Sequence, residues 1–127
     1  MKPDWKNSLI PNGASIRDAI KTVNDGGYEI ALVADGDGKL LGTVTDGDIR
    51  RGLLDGLDMS SEVEKIVNRA PLAATPNTNH TDLLDKMNGK VLRQIPLLDD
   101  SRRVVDLIHI RELTKPIDSR RNWVVLM

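Results

Sequence analysis

Apolar residues recur along this chain at two different periods, and each change of period marks an element. Ile16, Ala19, Ile20 and Val23 fall at i, i+3, i+4 and i+7, which is one face of a helix. Ser15 stands where it caps that helix, with Asp18 three residues on, near the positive end of the dipole. Asn24-Asp25-Gly26-Gly27 stops it, because glycine accepts the left-handed conformation common past a helix end. Residues 30–34, IALVA, show no polar alternation and predict a strand covered on both faces. Asp35-Gly36-Asp37-Gly38 is then a turn, and residues 39–44 a strand returning beside the first. A helix from Asp46 carries Ile49, Leu53 and Leu54 on one side, and Leu9 and Ile10 form a short strand ahead of the first helix.

The second half repeats this order with different residues. Asn79 takes the capping place with Asp82 three residues on, and Leu83, Leu84 and Met87 make the apolar face. Gln94-Ile95-Pro96-Leu97-Leu98 answers Glu29-Ile30-Ala31-Leu32-Val33, residues 99–102 are the turn, and residues 104–108 the returning strand. His109-Ile110-Arg111-Glu112-Leu113 answers Thr45-Asp46-Gly47-Asp48-Ile49 at an offset of 64 residues. Between the repeats, Ser61-Glu62-Val63-Glu64 has the form of a capping box opening a short helix through Val67, which Pro71 ends before a short strand over 72–75. The expected fold class is α/β of the α+β type, with two repeats over 1–60 and 61–115. Residues 116–127 are a linker and an apolar strand, Trp123-Val124-Val125-Leu126-Met127, that opens a following domain.

A chain of 127 residues holds one ordinary core, or two small units sharing one. The net charge of -1 favours neither nucleic acid nor an anionic membrane as partner, so binding has to come from a local site. Aromatic residues are only 2%, which leaves the core to aliphatic side chains and removes the stacking platform of single-strand nucleic-acid binders. Cysteine is absent, the stretch MKPDWKNSLI lacks the apolar run of a signal peptide, and no window is apolar enough to span a bilayer, so the cytoplasm is the expected location.

The richest local signal is Gly42-Thr43-Val44-Thr45-Asp46-Gly47-Asp48, where a strand runs into a helix. Thr45 and Asp48 satisfy the spacing of a capping box. The same pair suits a ligand, since an ionised carboxylate accepts from a vicinal diol and free amides at a helix start attract phosphate. A repeated unit ending in Gly-aliphatic-x-Thr-x-x-Asp resembles the cystathionine β-synthase (CBS) domain, and two in tandem resemble a CBS pair over roughly residues 5 to 115.

That resemblance implies two small sheets about a pseudo-twofold axis, with clefts between the repeats that bind AMP, ADP, ATP or S-adenosylmethionine as regulatory ligands. It implies no required cofactor and a homodimer attached to a larger protein. Carried over, Thr45 contacts phosphate or ribose and Asp48 the ribose hydroxyls. Ile10 and Pro11, and Ala74 and Thr75, fall where the family's adenine-lining backbone runs. Tyr28 and Arg93 precede the two buried strands and face a cleft, with Arg93 placed to pair with a phosphate. In the second repeat His109 replaces the threonine, Glu112 the aspartate and Asp106 the glycine, so one occupied cleft is expected rather than two. Residues 122–127 also resemble the opening strand of a sugar-phosphate nucleotidyltransferase, which implies that enzyme as the covalently attached partner. They serve equally as a terminal strand of the pair.

Other chemistry lacks support. Asp35-Gly36-Asp37-Gly38 fails as an EF-hand because Lys39 and Leu40 stand at the fifth and sixth positions. His80 and His109 alone make no zinc site, and no nucleophile sits beside a base, so the chain is expected to be regulatory and not catalytic.

Overall fold

Two similar halves fold against each other, and the offset of 64 residues recurs in their hydrogen bonds. The computed structural model describes residues 3–90 and 92–113. The first half contains β1 (Leu9–Pro11), α1 (Ile16–Asp25), β2 (Ile30–Ala34), β3 (Leu40–Thr45) and α2 (Asp46–Leu54). The second contains α3 (His80–Lys90), β4 (Gln94–Leu98), β5 (Val104–His109) and α4 (Ile110–Leu113). β1 pairs parallel to β2, and β2 antiparallel to β3; β4 and β5 form an antiparallel pair. Of the strand expected over 72–75, Ala74 alone forms a parallel bridge, to Leu97 of β4. The elements are thus small sheets flanked by helices, in a mixed α/β fold.

The caps form as the sequence requires. Ser15 and Asp18 exchange both hydrogen bonds of a capping box, at 3.1 and 3.2 Å, and the Asp82 amide donates to Asn79 Oδ1 at 2.8 Å. α1 buries Ile16 and Ala19 and packs Ile20 and Val23 against the same core. β2 is covered on both faces, as its composition predicts: Ala31 and Val33 join the core under α1 and α2, while Ile30 and Leu32 join a second core. That second core holds Leu98 and Leu107 as well, so it is shared by the two halves. A third lies under α3, around Leu83, Met87 and Ile95.

The two hairpins are copies. Asp35 Oδ1 accepts from the amides of Asp37 and Lys39, and Asp99 Oδ1 from those of Ser101 and Arg103. Gly38 and Arg102 both have positive φ, and each strand pair carries one irregularity, at Val33/Ala34 and at Leu97/Leu98. The hairpins also meet each other: the Leu40 amide donates to the Arg102 carbonyl and the Val104 amide to that of Gly38, a reciprocal exchange across a pseudo-twofold axis.

Two sequence expectations need correction. β4 matches β2 with Gln94 opposite Ile30, one residue away from the alignment of Gln94 with Glu29, and a one-residue slip exchanges the faces of a strand. Ser61 does not cap a helix. Its hydroxyl accepts from the Asp58 amide in a tight turn, and only a single 3-10 turn, Val63–Lys65, follows. The chain has to extend immediately, because Asn68 exchanges backbone hydrogen bonds with Thr43 of β3 at 2.8 and 3.0 Å. This crossing explains Gly42: a β-carbon there would stand 2.5 Å from the Asn68 carbonyl oxygen. The expected linker and terminal strand of 116–127 lie outside the described residues. No helix among the described residues is long and apolar enough to cross a membrane.

Candidate functional site

β3 ends at Thr45 and α2 starts at the next residue, which puts the motif at the seam between the halves. The Thr45 amide donates to Asp48 Oδ2 at 2.9 Å and its hydroxyl to the same oxygen at 3.1 Å. Arg51 Nη2 donates to the other carboxylate oxygen at 2.5 Å. The Asp48 side chain is only 14% exposed, whereas Arg51 is 71% exposed, so the arginine is the solvent-facing partner of the pair. The capping contact is therefore real, and the same carboxylate also lies on a cleft wall.

Two clefts meet at this point. The larger, about 810 Å³, runs between the second half of α1, the start of α2 at Thr45 and Gly47, and Arg93 and Gln94 at the entry to β4. The smaller, about 220 Å³, is walled by Asp48, Arg51, Asn68, Pro71 and Leu72, and shares Thr45, Leu92 and Gln94 with the first. The larger has the volume of a small-molecule site, and the two together offer the α2 amides, Lys21 and Arg93 to an anion and Asp48 to a diol.

The second motif is arranged differently. The His109 amide donates to Glu112 Oε2 at 2.8 Å, the counterpart of the Thr45–Asp48 contact. Its imidazole is fully buried and reaches across to the first half, where Nε2 lies 2.9 Å from Glu29 Oε1. The Arg111 amide donates to His109 Nδ1 at 3.2 Å, which makes that nitrogen an acceptor and leaves the proton on Nε2, directed at Glu29. Arg93 Nε donates to the same Glu29 oxygen at 3.1 Å, and the Gln94 side chain to the Glu29 carbonyl at 3.3 Å. The His109 hydrogen bond first, and Arg93 second, hold the Glu29 carboxyl below its ordinary range.

The expected site residues thus separate into groups. Thr45 and Asp48 line the joined clefts, Arg93 lines the larger one and also binds Glu29 there, and His109, with Glu112 on its amide, reaches Glu29 across the halves. Ile10 is buried in the first core and Pro11 is exposed at the end of β1; neither side chain lines these clefts. Ala74 is buried against the third core, and Thr75 lines a separate polar groove at the start of α3 with Thr78 and Asn79. Tyr28 is a correction: it is fully buried in the shared core with its hydroxyl donating to the Pro3 carbonyl at 2.9 Å, because the large ring fills the space between the halves. Sequence reading missed Gln94, Asn68 and Glu29, whose places rest on contacts between segments far apart in the chain. Among the described residues no group of three His, Asp or Glu side chains is placed to hold a metal ion.

A family model described as the CBS domain matches residues 8–55 and again 63–119. An uncharacterized protein of Helicobacter pylori is 26% identical over 106 residues, which cover 83% of this chain and 32% of that protein, so the chain spans about a third of that relative's length. Among solved structures, the CBS domain pair of protein MJ0100, in complex with 5'-methylthioadenosine and S-adenosyl-L-methionine, aligns with a TM-score of 0.76 at 24% identity, covering 91% of this chain and 92% of that one. CBS domain protein PAE2072 from Pyrobaculum aerophilum, complexed with AMP, aligns with a TM-score of 0.79 at 18% identity, covering 98% and 93%.

Proposed function

The chain belongs to the CBS domain family, in two tandem copies, and on that premise we propose that it is a regulatory module whose first cleft takes an adenosine-containing ligand. The observation that carries this reading is Asp48, a carboxylate mostly withdrawn from water yet set on a cleft wall beside the free amides of α2. A ribose diol replaces Arg51 on the carboxylate, the displaced guanidinium turns to the phosphate or to solvent, and the phosphate lies toward Gly47 and Arg93. The aliphatic and proline walls, Ile30, Pro71, Leu72 and Pro96, suit the faces of a purine. The similar pairs that hold AMP, or 5'-methylthioadenosine with S-adenosyl-L-methionine, support this ligand class.

The module pairs with a second copy of itself in the cytoplasm and biases an attached catalytic domain; the relative about three times as long supports a larger assembly. Its units divide near residue 60, and residues 116–127 lead into a sugar-phosphate nucleotidyltransferase, a reading that rests on the sequence of residues 122–127. Ligand acts by binding one arrangement of the halves better than another. The alternative is an assembly module with unfilled clefts, favoured by the internal partners already on Asp48 and His109. Calorimetric titration with AMP, ADP, ATP and S-adenosylmethionine separates the two: heat that Asp48→Ala abolishes supports the sensor, and no heat from any of them supports the assembly module.

A further inference from the structure

Most of the cations on the walls of the joined clefts are already matched by carboxylates on the same walls. Arg93 Nε donates to Glu29 Oε1 at 3.1 Å and Arg51 Nη2 to Asp48 Oδ1 at 2.5 Å, and all four side chains line one cleft or the other. Lys21 is the remaining wall cation, and among the described residues no carboxylate is paired with it. Against it stand two more carboxylates of the larger cleft, Asp25 and Asp46; the partner of Asp46 is Arg50, which does not line the cleft. Glu29 reaches its place through a φ of 62°, a conformation that a β-carbon disfavours and that the equivalent Arg93 does not share. The His109 hydrogen bond and Arg93 keep its carboxyl ionised at neutral pH, so it stands on the cleft wall as a fixed negative charge.

Given an adenosine-containing ligand in the first cleft, as proposed above, we infer that the cleft selects one bearing at most a single phosphate. Glu29 is the residue that turns away nucleoside di- and triphosphates, by occupying Arg93 and by repelling the added charge. A first phosphate is met by the α2 amides at Gly47 and by Lys21. Each further phosphate brings negative charge into a cleft whose other cations are engaged and where Asp25, Glu29 and Asp46 are all acidic. A ligand with a cationic sulfonium, such as S-adenosylmethionine, falls on the favoured side. Glu29 and Arg93 are 52% and 64% exposed, so salt screens the effect and the selectivity comes in steps of about tenfold rather than as exclusion.

The test is calorimetric titration of the unaltered chain with AMP, ADP, ATP and S-adenosylmethionine, at low ionic strength and without divalent cations, which would neutralise the added phosphates. ADP and ATP should bind about tenfold or more weakly than the tighter of the other two. Glu29→Gln removes the charge while keeping an acceptor for the His109 Nε2–H, and should narrow the gap between ATP and the tightest ligand by about tenfold. Adding Arg93→Ala should cancel most of that gain, because it comes through the released guanidinium. ATP bound as tightly as AMP or S-adenosylmethionine, or a gap that Glu29→Gln leaves unchanged, overturns the inference while the adenosine reading stands. No binding of any of the four overturns that reading and the inference with it. Should the Glu29 variant fail to fold, Asp25→Asn, at an exposed position ending α1, takes its place: a narrower gap supports the inference and an equal one overturns it.

Discussion

Replacing Gly42 with alanine tests how the linker between the halves builds the smaller cleft. The added β-carbon would stand 2.5 Å from the Asn68 carbonyl oxygen and 2.6 Å from Val67 Cγ2. The first is a backbone atom paired to β3 and cannot rotate away, so the linker has to lift. Lifting it breaks two backbone hydrogen bonds, Thr43 to Asn68 and Asn68 to Thr43, each worth about 1 kcal/mol net. Overpacking adds about 1–3 kcal/mol. The expected loss is therefore about 3–5 kcal/mol, a large part of the stability of an ordinary domain. In urea, with an m-value of about 2 kcal/mol/M, the midpoint should fall by about 1.5–2.5 M without a change in slope. Gly36→Ala is the control, since nothing lies within 4 Å of a β-carbon there; its effect should stay within about 0.5 kcal/mol. A Gly42→Ala protein as stable as the control would refute the argument that the motif glycine is required by the linker crossing.

Other expectations are smaller. Ser15→Ala removes the reciprocal cap of α1 and should cost about 1 kcal/mol in thermal unfolding, with no effect on ligand affinity. Tyr28→Phe should cost about 1 kcal/mol by removing the hydroxyl bond to Pro3, and should leave ligand binding unchanged because the ring is sealed in the shared core. The pH dependence of Glu29 has a definite sign. Its native carboxyl titrates below the unfolded value near 4.5, so the unfolded state binds the proton first; the stabilisation is complete above that value and disappears as pH falls through the lowered native value. Urea midpoints of the unaltered chain and Glu29→Gln should therefore differ at neutral pH and converge in acid. A difference that persists in acid contradicts the assignment.

What could be read from sequence was local. The Ser15 and Asn79 caps, the apolar face of α1 and the Asp35 and Asp99 turns are decided within a few residues, so spacing alone predicts them. The strand 30–34 was legible because burial on both faces removes polar alternation altogether. Ser61 misled because a capping box and a tight turn use the same residue types, and only the pairing of Asn68 with β3 decides between them. The sequence around Tyr28 carries no sign of which side packs, because a residue ahead of a strand can turn either way; its burial is decided by the core that both halves share. The contact of Glu29 with His109 spans 80 residues and joins two unlike side chains, which no periodicity encodes.

Under the proposed function the first cleft binds an adenosine-containing ligand through Asp48. Titration of the purified chain with AMP, ATP and S-adenosylmethionine, alongside Asp48→Ala, tests it most directly. Saturable binding of at least one of these is expected, lost by tenfold or more in a variant that unfolds cooperatively as the parent does, since a largely desolvated carboxylate accepting from a ligand contributes about 1.5–3 kcal/mol. Binding of equal strength in the two proteins would place the ligand elsewhere and leave Thr45 and Asp48 as the cap of α2.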